Sequence, residues 1–146
     1  VWTVPADRMK SGRQHRVPLC ERAVEILEAM PQGSPDDPVF PGPKGDTPSN
    51  NVLSALLKRM EVTVTAHGFR STFKDWAREY TGYADEVSEL ALAHINSDAT
   101  RAAYARSELI DKRRMLMRDW GRFAYHGHGH HIADEGNVAA IGQARA

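Results

Sequence analysis

One helix-forming segment, residues 65–80, constrains the fold of this chain more than any other. Large aromatic side chains recur along it at the spacing i, i+4, i+7, i+11, namely Phe69, Phe73, Trp76 and Tyr80. This period places them on one face of an α-helix, and such an apolar stripe must pack against a core. Thr65 is a suitable N-cap, because its hydroxyl can accept a hydrogen bond from a free backbone N–H group. The segment therefore predicts an amphipathic helix with a buried aromatic face.

A different face of the same helix carries His67, Arg70 and Lys74 at i, i+3, i+7. A histidine and an arginine one turn apart at a helix start form a good receptor for a phosphate group. The helix N-terminus carries partial positive charge, the guanidinium offers a planar fork of donors, and the imidazole can donate or carry a proton. Taken alone, the pair is equally typical of a surface histidine beside a solvated arginine, so the rest of the chain must decide.

The composition predicts a globular domain. The length of 146 residues fits one domain, or one domain with a tail, and 41% apolar with 26% charged residues is ordinary for a folded protein. Apolar runs extend over only a few residues, which predicts neither a membrane span nor a secretory signal peptide. The single cysteine, Cys20, excludes an internal disulfide and is typical of the reducing cytoplasm.

The charge is balanced in sum but not in distribution. The formal net charge is zero, whereas nucleic-acid-binding domains are usually basic. Basic residues nevertheless outnumber acidic ones in residues 1–22 and 101–122, and two such segments on one face could hold a polyanion. Two solvated faces would look the same in sequence. If the polyanion is DNA, the candidate contacts are Arg8, Arg13, Lys74 and Arg106.

Around the central helix, the pattern predicts a hairpin and further helices. Residues 1–5 and 15–19 have strand character, and the turn between them places Lys10 near the tip. Amphipathic stripes predict helices beginning near Glu21, Pro48, Asp85 and Ser107, with His94 at the end of the third of these and a helical turn over 99–106. The predicted fold class is α+β, a mainly helical domain over 1–125 with a small N-terminal β-hairpin or sheet.

The last segment, 126–146, is rich in glycine and histidine and predicts a flexible tail. Its histidines predict no structural metal site, because such a site would want thiolate or carboxylate ligands in a fixed frame.

The candidate residues occur in a characteristic order, Lys10, His67, Arg70, His94 and Tyr104. This order resembles the catalytic domain of the tyrosine recombinases, specifically the phage-type integrases, whose fold is the DNA breaking-rejoining type. The resemblance covers roughly residues 1–124. Its motifs are His15-Arg16-Val17-Pro18-Leu19, Val39-Phe40-Pro41, His67-Gly68-Phe69-Arg70-Ser71-Thr72-Phe73, Leu92-Ala93-His94, Ala103-Tyr104-Ala105-Arg106 and Lys112-Arg113-Arg114-Met115 with Trp120.

The resemblance implies site-specific recombination of double-stranded DNA at attachment sites. It makes Tyr104 the nucleophile that forms a 3′-phosphotyrosine, while Arg70 and His94 contact the non-bridging phosphate oxygens. His67 orients the phosphate, and Lys10 protonates the departing 5′ oxygen. No metal ion or other cofactor is implied, since cationic side chains take that role. The implied partners are DNA and other protomers in a tetrameric synapse, with no membrane involved.

The family pattern also includes an upstream arginine and a separate helical DNA-clamping domain, and these 146 residues contain neither. The resemblance therefore implies an N-terminally truncated catalytic domain with low or no activity by itself. Losing one of two phosphate-binding arginines costs on the order of 2.7–4 kcal/mol of transition-state stabilisation, by analogy with one oxyanion-hole donor.

Other interpretations remain compatible with the sequence. In a non-catalytic DNA-binding module, the basic segments would hold phosphates while Tyr104 merely packs. A protein-interaction domain would have no nucleic-acid role. Type IB topoisomerases use similar chemistry, but the hairpin and the H-G-F-R context favour an integrase.

Overall fold

The computed structural model describes residues 1–42, 44–94 and 108–126. In chain order, the elements are β1 (Trp2–Val4), a 3-10 turn (Ala6–Arg8), β2 (His15–Val17), α1 (Glu21–Glu28), α2 (Val52–Arg59), α3 (Gly68–Tyr80), α4 (Asp85–Ala91) and α5 (Ile110–His126). The protein is thus mainly helical with a small antiparallel sheet, and the predicted α+β class is confirmed. The predicted turn over 99–106 lies outside the described residues, as does the predicted tail 126–146 except for His126, which is the last residue of α5.

The predicted hairpin is present at the N-terminus. Trp2 pairs with Val17 and Val4 with His15 in an antiparallel ladder. The connection turns back at Gly12, whose φ of +64° lies in the left-handed region that glycine adopts without steric cost. Lys10 is exposed within this connection, as are Arg8 and Arg13.

The start of α3 confirms the predicted cap. The Gly68 N–H donates a hydrogen bond to the Thr65 hydroxyl oxygen across 3.0 Å. The helix itself begins at Gly68 rather than directly after the cap, because residues 66 and 67 form a turn that leads into it. His67 is therefore the residue immediately before the first residue of the helix.

The core forms where α3, α4 and α5 meet. Its buried apolar residues are Phe73, Trp76 and Ala77 of α3, Val87 of α4 and Leu116 of α5. Two rings of α5 complete it: Trp120 meets Phe73 edge-on with ring centroids 5.4 Å apart, and Phe123 lies 5.6 Å from Trp76. This three-helix core fixes α3 against α4, and the candidate site residues Arg70 and His94 lie at the ends of these two helices.

Several predicted core positions are exposed. The prediction for α3 is right for Phe73 and Trp76 but wrong for the two ends of the stripe, since Phe69 is 53% exposed and Tyr80 45% exposed. The packed helices cover the middle turns of α3 and leave its end turns accessible. Val39 and Phe40 are likewise exposed, and α2 forms as predicted but buries none of its residues. Among the helices in the described ranges, none combines the length and apolar character of a membrane span.

Candidate active site

The structure joins Arg70 of α3 to the segment that follows α4, which carries His94. Arg70 lies in the first turn of α3, and its guanidinium donates a hydrogen bond to the carbonyl oxygen of Leu92 across 2.8 Å. Leu92 follows α4 directly, and His94 is two residues further along. One turn after Arg70, Lys74 contacts α4 through Ser88 at 2.8 Å, so the two helices lie side by side. The H-G-F-R and L-A-H motifs are therefore neighbours in space.

The L-A-H motif forms the C-terminal cap of α4. The Ala93 N–H donates to the Leu90 carbonyl at 3.2 Å, and the His94 N–H donates to the Glu89 carbonyl at 3.0 Å. Ala93 has a φ of +54°, in the left-handed region. These two reversed hydrogen bonds around a left-handed residue make a Schellman motif, which ends a helix and turns the chain back over its last turn. The cap thus returns His94 towards the helix that it has just left.

The side chain of His94 is held by the same residue as its backbone. Its Nδ1 lies 2.7 Å from Oε2 of Glu89, and the other carboxylate oxygen of Glu89 lies 2.5 Å from Nζ of Lys74. Lys74 also contacts Asp85 at 2.8 Å, and its side chain is only 15% exposed. Glu89 therefore bridges a largely covered ammonium and the imidazole of His94.

These contacts keep the bridging groups charged. The hydrogen bond from Lys74 lowers the pKa of the Glu89 carboxyl; burial opposes that change, and His94 adds to it. Burial alone would lower the pKa of Lys74, but its hydrogen bonds to Asp85 and Glu89 outweigh that effect and raise it. The same hydrogen bond from Lys74 lowers the pKa of Asp85. At neutral pH, the network consists of two carboxylates around one ammonium.

The hairpin is anchored beside the end of α4. Arg113 of α5 is 2% exposed and donates hydrogen bonds to the carbonyl oxygens of Arg16 in β2 and of Glu108. The imidazole of His15 in β2 lies close to the backbone of Ala91, the last residue of α4. Burial, with the positive charge of Arg113, lowers the pKa of His15. The strand that follows the Lys10 connection thus contacts the residue next to Leu92.

Comparison with known proteins identifies relatives of this chain. It is 38% identical over 124 residues to the prophage integrase IntA of Escherichia coli K12, an alignment covering 82% of this chain and 30% of that protein. It is 31% identical to the integrase of Enterobacteria phage P4, over 84% of this chain and 33% of that protein. It is also 30% identical to the integrase of Shigella phage Sf6, over 82% of this chain and 32% of that protein.

This chain belongs to the phage and prophage integrase family. It spans about a third of the length of these relatives. No protein-family model matches it, and no solved structure matches it.

The predicted site residues of this integrase-family chain fall into three groups. Arg70 contacts Leu92, two residues before His94, and His67 is exposed at the start of the same helix as Arg70. Lys10, Arg8 and Arg13 are exposed on the hairpin connection, which is anchored beside α4. Tyr104 and Arg106 lie outside the described residues. No group of three or more potential metal ligands is found within the described ranges.

Glu89 was not among the residues predicted from the sequence, and Lys74 was predicted as a candidate DNA contact. In the structure, Lys74 is committed to carboxylates of α4, so it is better placed to support the site than to reach DNA. Glu89 had no sequence signal, because it precedes His94 by five residues, a spacing that a continuing helix would not bring together. Only the reversed cap makes the two side chains meet.

Proposed function

We propose that this chain is the catalytic part of a tyrosine-type site-specific recombinase that breaks and rejoins double-stranded DNA. The observation that carries the proposal is the hydrogen bond from Arg70 to Leu92, two residues before His94, in a chain of the integrase family. A guanidinium and an imidazole on one surface provide donors for the non-bridging oxygens of one phosphate. The proposed substrate is a DNA attachment site, and the proposed partners are further protomers in a tetrameric synapse in the cytoplasm.

The proposed reaction is a transesterification through Tyr104. The phenolic oxygen attacks the phosphorus, the bond to the 5′ oxygen breaks, and a 3′-phosphotyrosine forms. The departing 5′ oxygen takes its proton from Lys10, and the phenolic proton leaves with the assistance of His67. A 5′-hydroxyl from a second duplex reverses the step and rejoins the strand. The number of phosphodiester bonds is conserved, so no external energy is required.

Charge neutralisation is the task of the described part of the site. A phenol has a pKa of about 10, so at neutral pH it is a weak nucleophile against an anionic phosphodiester. Arg70 and His94 would offset the charge that develops on the phosphate oxygens, which no ion is then required to do. Arg8 and Arg13 on the exposed hairpin connection, with Arg106, are the proposed contacts to flanking phosphates.

The decisive experiment uses a chimera in which the present chain replaces the matching segment of the IntA protein. A suicide substrate built on the IntA attachment site traps the covalent intermediate, which is resolved from free DNA on a denaturing gel. We expect a covalent complex that Tyr104→Phe abolishes while DNA affinity changes less than about 2-fold, because only the nucleophilic oxygen is removed. The matched control is Tyr125→Phe, which removes the hydroxyl of an exposed tyrosine of α5.

A chimera that binds the substrate but forms no covalent complex would instead identify a non-catalytic DNA-binding module. A complex that persists in Tyr104→Phe would assign the nucleophile to another residue. The 146 residues alone contain one of the two expected phosphate-binding arginines, so we expect them to form covalent complex at least about 10²-fold more slowly than the chimera.

A further inference from the structure

We propose that Glu89 is a positioning residue for His94, holding the imidazole with Nε2 directed to the phosphate and Nδ1 directed to the Glu89 carboxylate. The inference rests on the proposed function, since it is that function which gives His94 a phosphate to contact. It adds to the reaction a residue that touches neither DNA nor the nucleophile. Lys74 is a second positioning residue, because it holds the Glu89 carboxylate in turn.

The ring nitrogens of His94 have different neighbours. Nδ1 lies 2.7 Å from Oε2 of Glu89. An ionised carboxylate only accepts hydrogen bonds, so Nδ1 must carry the proton of this contact. Which nitrogen of a histidine is free for chemistry is decided by the hydrogen bond that the other one makes. Nε2 is therefore left to face a ligand, and the imidazole of His94 is 44% exposed.

Glu89 holds His94 at two points. Its carboxylate contacts the ring, and its backbone carbonyl accepts the His94 N–H at 3.0 Å in the reversed cap of α4. With both the backbone and χ angles of His94 constrained by one residue, the ring has little freedom to rotate. Such pre-organisation places a donor before the substrate arrives, and so avoids reorganisation during the reaction.

Glu89 is itself fixed from the other side. Lys74 lies 2.5 Å from Oε1, leaving Oε2 for the imidazole. The ammonium is held by Asp85 and by Ser88, each at 2.8 Å, and both belong to α4. Ser88 is 2% exposed and donates its hydroxyl to the Asp85 carbonyl at 2.8 Å. The chain of contacts therefore runs from the edge of the core to the exposed imidazole.

Phosphate binding completes the arrangement. When Nδ1–H is donated to Glu89, a neutral ring has only an acceptor lone pair at Nε2. A phosphate oxygen is also an acceptor, so the two cannot form a hydrogen bond. In the DNA complex, the ring must donate at both nitrogens, Nδ1–H to Glu89 and Nε2–H to the phosphate oxygen. The Glu89 carboxylate then balances the charge of the imidazolium, and the neighbouring guanidinium of Arg70 contacts the same phosphate.

The first test reads the tautomer of His94 in the free 146-residue chain by ¹H–¹⁵N NMR at pH 8.5, where histidine is ordinarily neutral. His94→Gln assigns the signal. We expect the Nδ1–H tautomer in the wild type and in Glu89→Gln, whose amide oxygen still accepts, and its loss in Glu89→Ala. Glu86→Ala, which removes an exposed carboxylate of the same helix, should change nothing. A dominant Nε2–H tautomer in the wild type would overturn the proposal, with no variant needed.

The second test measures single-turnover cleavage by the IntA chimera at saturating DNA. We expect Glu89→Ala to slow cleavage about 10-fold with DNA affinity changed less than about 2-fold, and Glu89→Gln to recover most of the rate. Partial unfolding would lower the reacting fraction rather than the rate constant. Equal rates in wild type and Glu89→Ala would overturn the proposal. A chimera without Tyr104-dependent cleavage would refute the proposed function instead, and the NMR tautomer would still decide the role of Glu89.

Discussion

The guanidinium of Arg70 donates a hydrogen bond to the carbonyl oxygen of Leu92 across 2.8 Å, joining the first turn of α3 to the end of α4. Carbonyl groups at a helix end lack partners within the helix and carry partial negative charge, so a guanidinium is well suited to satisfy one. The contact involves one of the five N–H donors of the arginine. Arg70 can therefore hold the two motifs together and still present donors to a ligand.

This double use of Arg70 predicts a severe and specific loss on substitution. We expect Arg70→Ala to reduce the single-turnover cleavage rate of the IntA chimera about 10²–10³-fold, as for one lost oxyanion donor. Arg70→Lys should not recover the wild-type cleavage rate, because one ammonium cannot reproduce a planar fork of donors. The matched control is Arg78→Ala, which removes an arginine from the last turn of α3 that is 65% exposed. A loss below about 3-fold for Arg70→Ala would contradict the assignment.

The pairing of Lys74 predicts that it supports the fold and not DNA binding. We expect Arg13→Ala in the chimera to reduce the slope of log Kd against log salt by about 1, as one phosphate contact would. Lys74→Gln should leave the slope unchanged, because the ammonium is committed to Asp85 and Glu89. It should instead lower the free energy of unfolding of the chain by about 1–2 kcal/mol, measured in urea. A reduced slope for Lys74→Gln would return it to the DNA-contacting set.

The left-handed backbone of Ala93 predicts a stabilising substitution. A residue with a side chain pays about 1 kcal/mol or more in this conformation, whereas glycine does not. We therefore expect Ala93→Gly to raise the free energy of unfolding by about 1 kcal/mol. Ala91→Gly, at the last residue of α4, should have the opposite sign, because glycine is less favourable than alanine where the backbone is helical. If both substitutions destabilise the chain, the cap of α4 does not have this geometry.

The lowered pKa of His15 predicts acid sensitivity of the hairpin anchor. Burial and the charge of Arg113 favour the neutral ring, while Ala91 and Glu108 oppose them. As the pH falls, His15 is therefore protonated in the unfolded state before it is protonated in the folded state. The stabilisation from the neutral ring is complete above the ordinary pKa of 6.5 and is lost as the pH falls below it. We expect the wild type to lose more stability between pH 7.5 and 5.5 than His15→Gln, by urea unfolding. Equal losses would contradict the burial of His15.

The close approach of α1 and α5 predicts a steric requirement for glycine at position 121. A Cβ added to Gly121 would lie 2.6 Å from both Cβ and Sγ of Cys20. We expect Gly121→Ala to destabilise the chain by about 1–3 kcal/mol, as other overpacking substitutions do. Removing the opposing side chain with Cys20→Gly should restore most of that loss in the double variant, which calorimetry can measure. Additive losses would show that the two helices do not meet here.

Local patterns predicted much of the secondary structure. The N-terminal hairpin, the cap at Thr65 and the amphipathic period of α3 depend on neighbours within a few residues, and all are confirmed. Burial was predicted less well, because the period of a helix shows which face is apolar but not how far its partners extend. Phe73 and Trp76 are covered by α4 and α5, whereas Phe69 lies on the same stripe beyond their reach.

The sequence by itself determined the helices, the hairpin and the motif order that carries the family resemblance, since these are written in residue types and short spacings. Only the tertiary structure decided which of those residues act together. The Arg70 contact with Leu92 spans 22 residues, and the contact of Glu89 with His94 depends on a chain reversal at Ala93. Such contacts arise from the packing of α3 on α4, a long-range balance of burial and hydrogen bonding that no local spacing encodes.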